Sequence, residues 1–480
     1  AISGVVNFVM NDDFEGFQID ANYSFYQHNN DGELQGLLEE YAARNPSQYR
    51  VPDGSTIDGE GVDITLMAGG DFDNGRGHAT AFAAYQNVNE VLQGDRDYSQ
   101  CALGTRNGGT EFSCAGSATN QFTNLQDVFG NITPTGVSAT DNGTFRPYNG
   151  ATDTFNFNPY NHYQRPNQKY TFGTFLNYEI TDNIEAYGEF MFVENETNSQ
   201  IAPSGVFGYG VAGGNGGVNC NNPFLSAQQA SYIGCDTRAP DAVVGADPEG
   251  LNGPAEYLIA LRRNVEGGPR NNDIRHQTFR NVIGIRGDLE DTSIGYDLYA
   301  SFSKVVRSEV YNNDLSIAKL TNALYAVPDG NGGVACNINV DADPTNNDPN
   351  CAPYDIFSPA GPSQAALDYV VSPLNRNGDV TQTVISGKMF GSFGDYGLVS
   401  PMAVDAPGWA LGAEYRRDTI DSNPDANFQS GDGAGQGPDV PGLPARHFKA
   451  GDVGVGERSL LEVYIPYVEP GERDELGDGL

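Results

Sequence analysis

The chain has 480 residues, of which 38% are hydrophobic, and its formal net charge is −37. A surface with 63 acidic and 26 basic residues repels a phosphate backbone, so nucleic-acid binding is excluded. No run of about eighteen apolar residues exists, which excludes a transmembrane helix, and 60 Gly, 25 Tyr and 25 Phe favour strands and turns over helices.

The first clear element is a strand at 17–27. Alternate residues from Phe17 to Phe25 are apolar and those between them are polar, so one face of the strand is apolar and the other polar. A half-buried sheet of a soluble protein has the same alternation. Here, however, similar segments recur between short turns and very long polar loops, an arrangement typical of membrane barrels.

Further elements follow in chain order around this strand. A short strand is predicted at Ala1 to Met10, before it, and a helix within the loop 28–59 (LQGLLEEYAAR). An Asp73-Asn74-Gly75 turn predicts a hairpin between the next two strands. The remaining predicted strands are 61–72, 78–88, 169–180, 184–193, 275–287, 294–305, 380–393, 409–418 and 458–468.

The segment from Glu256 to Val265 (EYLIALRRNV) also has the composition of a strand. If it crossed the membrane, every later short turn would move to the side that carries the earlier long loops. Treating it as a hairpin arm above the membrane keeps all long loops on one side and leaves about ten spanning strands. Because open sheet edges do not occur in hydrocarbon, we expect the rest of a barrel beyond Leu480.

The six cysteines fall into three local pairs, each in a Gly-, Asn- and Pro-rich segment. Their positions in separate loops favour local pairing, and the absence of Cys-x-x-Cys or adjacent His argues against zinc. We expect three loop disulfides and an oxidising compartment, with reduced, buried cysteines as the alternative. The pairs are Cys101 with Cys114, Cys220 with Cys235, and Cys336 with Cys351.

Four segments are similar to landmarks of one known family. They are AISGVVNFVMNDDFEG at 1–16, RRNVEGG at 262–268, the DYGL and GWALGAEYRRD hairpin at 395–418, and YIP at 464–466. In these segments the chain resembles the TonB-dependent outer-membrane receptors, in which a run similar to the first segment ends the plug domain. The resemblance covers nearly the whole chain, with residues 1–13 as the end of the plug and residues 14–480 as the N-terminal part of the barrel.

The resemblance implies an all-β fold, an antiparallel transmembrane β-barrel of about 22 strands filled by a plug. This chain would supply about ten strands, as an incomplete, open curved sheet with long extracellular loops. It further implies the outer membrane of a Gram-negative bacterium and active uptake of a scarce solute, powered by the periplasmic TonB energy-coupling protein. The solute stays open among a ferric siderophore, cobalamin and an oligosaccharide. The coupling box, most of the plug and the closing half of the barrel are expected outside this chain.

An aromatic run before the strand at 169–180 is the candidate substrate platform. Rings at a barrel mouth can stack on sugar rings or on a metal chelate. The alternatives are a girdle at the membrane interface or packing between loops. The residues concerned are Tyr148, Phe155, Phe157, Tyr160 and Tyr163.

A loop between the third pair of cysteines contains Asp341, Asp343 and Asp348. Alternating carboxylates in a loop can hold Ca²⁺, although the Gly and the terminal Glu of an EF-hand are absent. We expect a solvated acidic loop and no cofactor, with calcium bound by these three carboxylates as the alternative.

Three arginines, Arg280, Arg286 and Arg416, fall on the inward faces of their strands. We expect them to pair with carboxylates of the plug and wall, with an anionic substrate as the alternative. The chain contains no H-E-x-x-H, P-loop or nucleophile elbow, so no enzymatic activity is expected. Two rival functions stay open, a passive porin-like channel and a secreted, soluble β-rich binding protein or hydrolase.

Overall fold

The computed structural model describes residues 10–127, 136–213, 216–247, 249, 251, 256–290, 292–398, 406–435 and 458–464. The strand predicted at Ala1 to Met10 lies outside these residues except for its last residue, and so does most of the predicted plug end at 1–13. The end of the strand predicted at 458–468, and with it Ile465 and Pro466, also lies outside them.

One antiparallel sheet of ten strands dominates the chain, which is mostly β. Each strand is hydrogen-bonded to the strands that precede and follow it in this sheet. The ten strands coincide with the ten alternating segments of the sequence, so their prediction is confirmed. They are β1 Gly16–Asn29, β2 Ser55–Phe72, β3 Gly77–Val88, β4 Asn167–Thr181, β5 Ile184–Ile201, β6 Arg270–Asp288, β7 Gly295–Asn312, β8 Leu374–Ser392, β9 Gly408–Pro424 and β10 Arg458–Tyr464.

The connections between these strands alternate between short and long. Residues 73–76, 182–183, 289–294 and 393–407 form the short ones, and the others, such as 89–166 and 202–269, are long. Because consecutive strands run antiparallel, all long connections leave from the same end of the sheet, as predicted. β1 and β10 are the edges, so the described residues form an open sheet and not a closed barrel.

The sheet has one face of exposed apolar side chains, which we call the apolar face. Register places Ile19 opposite Leu66 and Phe172 opposite Phe192, so the apolar residues of successive strands share this face. Its exposed large side chains include Phe17, Ile19, Tyr23, Phe25, Ile64, Leu66, Tyr170, Phe172, Leu176, Ile283, Ile285, Leu298, Phe302, Ile385, Leu411 and Tyr415.

The opposite face, which we call the polar face, carries ion pairs both between neighbouring strands and within one strand. The three arginines predicted on inward faces lie here, and each pairs with a carboxylate of the sheet. The predicted pairing with carboxylates is thus confirmed for the sheet. The pairs are Arg280 with Glu189, Arg286 with Glu185 at 2.6 Å and Arg416 with Asp418 at 3.0 Å.

Several strands are longer than the alternation predicts, always toward the long loops. β5 continues to Ile201 instead of ending at 193, and β6 begins at Arg270 instead of 275. Many of the added residues, such as the run from Glu194 to Gln200, are polar on both faces. Without an apolar face they carry no period-two signal, which is why the sequence did not predict them.

The long loops pack into one body at their end of the sheet. The strand Glu256–Arg263 pairs with Gly205–Tyr209 and Asn124–Asp127 and not with the ten strands, as predicted for this segment. A buried core holds the loops together, because each alone buries little apolar surface. Its fully buried side chains include Leu125, Val206, Leu258, Leu315, Leu320, Tyr354 and Phe357.

The described parts of the loops contain five α-helices, of which the first was predicted. Three of them begin with a serine that accepts a hydrogen bond from a backbone N–H of the first turn, as helix caps do. In the described part of the chain, no helix has the length and apolar character needed to span a bilayer. The helices are α1 Gln35–Arg44, α2 Ala227–Tyr232, α3 Ile317–Leu324, α4 Gln364–Val370 and α5 Ala426–Ser430.

Short strands complete the loop body, several of them as two-residue or three-residue pairs. They are Val91–Leu92, Ala102–Arg106, Glu111–Ala115, Asn124–Asp127, Val137–Ala139, Phe145–Pro147, His162–Gln164, Gly205–Tyr209, Val218–Asn219, Val243–Val244, Ala246–Asp247, Glu256–Arg263, Ala326–Pro328 and Val334–Cys336. Because they come from different loops, the loop body is held by contacts between segments that are distant in sequence.

Candidate ligand-binding site

Two adjoining cavities of about 530 and 410 Å³ open between the long loops. The larger lies between residues 44–48 and the segments 120–124, 138–141 and 152–153. The smaller adds Tyr49, Gln100, Asn156 and Tyr160. The two cavities adjoin at Pro46, Ser47, Gln48 and Gln121, which line both of them, and together we call them the loop groove.

One wall of the loop groove is the segment that follows α1. Asn45 ends the helix, and its side-chain amide donates a hydrogen bond of 2.9 Å to the carbonyl of Thr152. Tyr49 packs in a small core with Leu38 and the Cys101–Cys114 disulfide. The helix and the disulfide therefore hold this wall against the loop that carries Thr152.

The floor of the smaller cavity is built from buried amide side chains. Asn156 Nδ2 donates to the carbonyl oxygens of Gln48 at 3.1 Å and Gln100 at 3.0 Å. Asn156 and Gln100 are 2% and 1% exposed, respectively. Even so, Gln100 Nε2 and Asn156 Oδ1 have no hydrogen-bond partner. Buried polar atoms of native proteins nearly always have partners, so this donor and this acceptor need an explanation.

The Tyr49 hydroxyl is a third buried polar atom beside this cavity without a hydrogen bond of normal geometry, although Thr154 lies beside it. Only five such atoms occur among the described residues, and three of them belong to residues that line this cavity. The other two belong to Asn272 and Arg307, on the strands of the sheet. Unpaired polar atoms are thus concentrated in the loop groove.

Asp153 fixes the floor of the larger cavity. Its carboxylate accepts hydrogen bonds from Arg146, from the backbone N–H of Asn149 at 2.6 Å and from the Ser138 hydroxyl at 3.0 Å. Burial acts to raise the pKa of Asp153, but these hydrogen bonds outweigh it and hold the pKa below its ordinary value. The carboxylate is therefore ionised at neutral pH and bound to its neighbours.

The three arginines in the lining of the loop groove all have carboxylate partners. Arg146 pairs with Asp153, which also lines the groove. Arg44 pairs with Glu40 and Arg50 with Asp95, and these two carboxylates lie outside the lining. The groove thus offers amides and hydroxyls but no unpaired cation among its described residues.

The structure does not gather the five predicted aromatic residues on one surface. Tyr160 lines the loop groove, and Phe155, 1% exposed, stacks on the Tyr160 ring with centroids 5.6 Å apart. Tyr163 lies elsewhere, with its ring 5.7 Å from that of Tyr98. Tyr148 and Phe157 are partly buried and line neither cavity of the groove. Their role in substrate binding stays a prediction.

Arg263 packs on the Phe155 ring of the stacked pair Phe155–Tyr160. The sequence did not single out this arginine. Its guanidinium lies over the rings of Phe155 and Phe207, 4.9 and 5.0 Å from their centroids. It donates to the carbonyl of Pro203 at 3.0 Å, and none of the described carboxylates pairs with it. Burial and the neighbouring Arg270 cation lower the pKa of Arg263 to about 10. It links two long loops beneath Tyr160.

The predicted calcium ligands are used within their own loop. Asp341 and Asp343 accept hydrogen bonds from backbone N–H groups two residues further along the chain, and Asp348 accepts one of 2.7 Å from the Tyr369 hydroxyl. Over the described residues, no three acidic, His or Cys side chains are close enough together to hold a metal ion. Calcium binding stays a prediction.

All three predicted disulfides are present. Their Cα atoms are 5.5, 5.5 and 6.2 Å apart, and each bond joins the two nearest cysteines in sequence. The first one packs beneath Tyr49, next to the loop groove. The local pairing is confirmed.

Compared with known proteins, the chain matches no protein-family model and no curated protein. A function must therefore be argued from the residues and their geometry. The sequence did not single out Gln48, Gln100, Gln121 and Asn156, because isolated amides in polar loops form no motif. What distinguishes them is their position around one cavity, with Gln100 and Asn156 buried and Gln48 and Gln121 half-buried, and the fold alone reveals that position.

Proposed function

We propose that the chain is the plug end and the first ten strands of the barrel of a TonB-dependent outer-membrane transporter, which binds and imports a scarce solute. Loops at the outer rim capture the solute, and energy is delivered from the periplasm by the TonB protein. Outer-membrane lipid surrounds the barrel, and the loops face the outside of a Gram-negative cell. The strands that close the barrel would belong to the same protein.

The observation that carries this proposal is the exposed apolar face. Ile283, near its middle, is 69% exposed, and it lies among other exposed aliphatic side chains such as Ile285 and Ile385. Soluble proteins rarely expose a continuous apolar patch of this extent. Lipid contact explains it, because a barrel strand offers every second residue to the bilayer.

Aromatic rings bound the apolar face at both ends, as at membrane interfaces. Near the loops, the rings of Tyr85 and Tyr170 lie 5.1 Å apart. Near the short turns, Phe72 stacks on Tyr178 at 5.9 Å. From Tyr170 to Ile180, the last exposed apolar residue of β4, the strand has about eleven residues, the number that a tilted membrane strand needs.

The path of the chain before β1 supports a plug. Thr80 donates a hydrogen bond of 3.0 Å to the carbonyl of Asp12, and the His78 ring contacts the carbonyl of Phe14 at 3.1 Å. Both side chains lie on the polar face, and the Phe14 carbonyl occupies the space that a side chain at Gly69 would need. In a barrel with its apolar face toward lipid, this segment would run along the lumen wall.

Two measurements test the proposal: the location of the protein in the cell and the energy dependence of solute uptake. The full-length protein should fractionate with outer membranes and need detergent for extraction. It should accumulate its solute only in cells that contain the energy-coupling protein. Recovery of a soluble protein from the medium or the periplasm would favour a secreted binding protein or hydrolase. Ion conductance without energisation would favour a passive porin.

A further inference from the structure

We propose that the loop groove binds a neutral, hydroxyl-rich ligand of several linked rings, that is, an oligosaccharide. The inference rests on the proposed function, since it names the class of solute that such a transporter would capture. It is carried by five properties of the groove: its unpaired buried atoms, its paired charges, its uncharged amides and hydroxyls, the ring of Tyr160 and its shape.

The unpaired atoms require a ligand that both donates and accepts hydrogen bonds. Gln100 Nε2 is a donor and Asn156 Oδ1 an acceptor; neither has a partner, and the side chains that carry them line the same cavity, with the two atoms just beneath its surface. A hydroxyl group serves both, since it carries one O–H and two lone pairs. Once a rotation of the two amides brings these atoms to the cavity surface, a ligand with hydroxyls on adjacent carbons can satisfy both, whereas an apolar ligand would leave them unpaired.

The charges of the loop groove argue against an anionic ligand. Arg44, Arg50 and Arg146 line it, and each already has a carboxylate partner. The exposed Asp141 also lies in the lining. A chain of net charge −37 further repels an anionic metal chelate on approach. A neutral ligand avoids both penalties.

The side chains between the charged pairs are the uncharged groups that recognise hydroxyls. Amides combine an acceptor oxygen with two donor hydrogens, and Ser and Thr hydroxyls add to them. The Gln48 amide is held in place, since its side-chain carbonyl accepts a hydrogen bond of 3.0 Å from the N–H of Asn156. Amides and hydroxyls of the lining include Asn45, Ser47, Gln48, Asn120, Gln121 and Thr140.

Tyr160 supplies a flat surface on which a sugar ring can lie. Its ring stacks on Phe155 at an interplanar angle of 23°, and Arg263 lies over Phe155 in turn. Phe155 is buried and its partners hold it, so the Tyr160 ring is supported from beneath. Apolar C–H faces of sugar rings pack on such aromatic surfaces while their hydroxyls reach polar neighbours.

The shape favours an extended ligand over a compact one. Two cavities of about 530 and 410 Å³ meet at Ser47, Gln48 and Gln121. Each has the volume of an ordinary small-molecule site. A chain of linked rings can occupy both, whereas a single compact ligand would fill only one.

Binding to the full-length protein in detergent tests this inference. Titration calorimetry measures binding of neutral hexasaccharides derived from glucan, xylan and mannan. Ferric tris-catecholate and cyanocobalamin are the comparators. At least one oligosaccharide should bind. Ser47→Trp, which fills the junction of the two cavities from an exposed position, should abolish that binding. Gln121→Ala removes an amide of the same junction and should weaken binding about tenfold.

Ser430→Trp is the matched control, since Ser430 is exposed and, like Ser47, makes only a local hydrogen bond. It should bind as tightly as the wild type. Folding of every variant is checked by near-UV circular dichroism. The inference is overturned if no oligosaccharide binds, or if Ser47→Trp binds the oligosaccharide as well as Ser430→Trp does.

Failure of this inference and failure of the proposed function give different results. Energised uptake of cyanocobalamin or the ferric chelate, unchanged in Ser47→Trp, would keep the transporter and overturn the oligosaccharide site. Oligosaccharide binding by a protein that is soluble without detergent would keep the site and overturn the transporter.

Discussion

The Thr80 hydroxyl donates a hydrogen bond of 3.0 Å to the backbone carbonyl of Asp12, although 68 residues separate them. Thr80 is buried on the polar face of the sheet. The contact holds the chain against this face just before β1 begins at Gly16. The segment that a plug would join is thus fixed to the face that would line the lumen.

Thr80→Val is expected to release this segment. Valine keeps the shape of threonine but leaves the Asp12 carbonyl without its donor, so the free energy of opening residues 12–15 should fall by about 1–3 kcal/mol. Hydrogen exchange of the full-length protein measures this. Thr65→Val, on the polar face of β2 and without a hydrogen bond to 12–14 in the described structure, should leave exchange unchanged. Equal exchange in the two variants would contradict the role of the Thr80 hydroxyl.

Ile283→Arg separates a membrane sheet from a soluble one. In a soluble protein, a residue that is 69% exposed accepts arginine at little cost. At the middle of a lipid-facing strand the same change should cost about 2–4 kcal/mol. Urea unfolding of the protein in vesicles measures the difference, and equal stability of the variant and the wild type would count against lipid contact.

Ser301→Arg is the control for that change. Ser301 lies opposite Val282 in the register of β6 and β7, one position from Ile283 and on the polar face. Arginine placed there points to the polar face, on the same side of the sheet as Glu189, which lies two strands away beyond Val282. Its stability should therefore stay within about 0.5 kcal/mol of the wild type.

The ten strands could be predicted from the sequence because each presents one apolar face. Alternation in segments such as 17–27 is a local signal, and a short turn such as Asp73-Asn74-Gly75 adds another. Where both faces are polar, as from Glu194 to Gln200, the signal vanishes and the predicted strands end too early. The central part of each strand can be predicted from its local pattern of apolar residues. The polar ends of the strands form because they pair with a neighbouring strand, which a local pattern does not reveal.

The loop groove could not be predicted in the same way. Gln48, Gln100, Gln121 and Asn156 come from distant parts of two long loops, and no spacing relates them. Contacts between loops bring them together, such as the hydrogen bond of Asn156 to the Gln48 carbonyl, 108 residues away. The aromatic run predicted the site only in part, since Tyr160 is the one of its five residues that lines the groove.

Acid should loosen the larger cavity of the groove. The pKa of Asp153 is lowered in the folded protein, so its contribution to stability is complete above the unfolded pKa of about 4 and is lost as pH falls through the folded value. The Asn149 amide donates to this carboxylate, and its exchange, corrected for intrinsic rate, should accelerate below about pH 4. Asp153→Asn should lose about 1–3 kcal/mol at neutral pH and show a weaker acid response. An unchanged acid response would assign the effect to another group.

The Cys101–Cys114 disulfide should control the wall of the groove that α1 supports. The bond joins residues 13 apart in sequence and packs on Leu38 and Tyr49. Cross-links of about this loop length contribute about 2–4 kcal/mol. Replacing both cysteines with serine should therefore speed amide exchange in α1 and weaken ligand binding, because Tyr49 lines the smaller cavity.

Serine at both Cys336 and Cys351 is the control for that pair. This disulfide closes a loop with a sequence separation of 15, close to the first in length, but it packs beside α3 and away from the groove. If cross-linking acts through local packing, α1 keeps its protection in this variant and loses it in the other. If α1 lost the same amount of protection in both variants, the loop body would open as one unit. The wall of the groove would then depend on the whole loop body and not on the contact of the first disulfide with Tyr49.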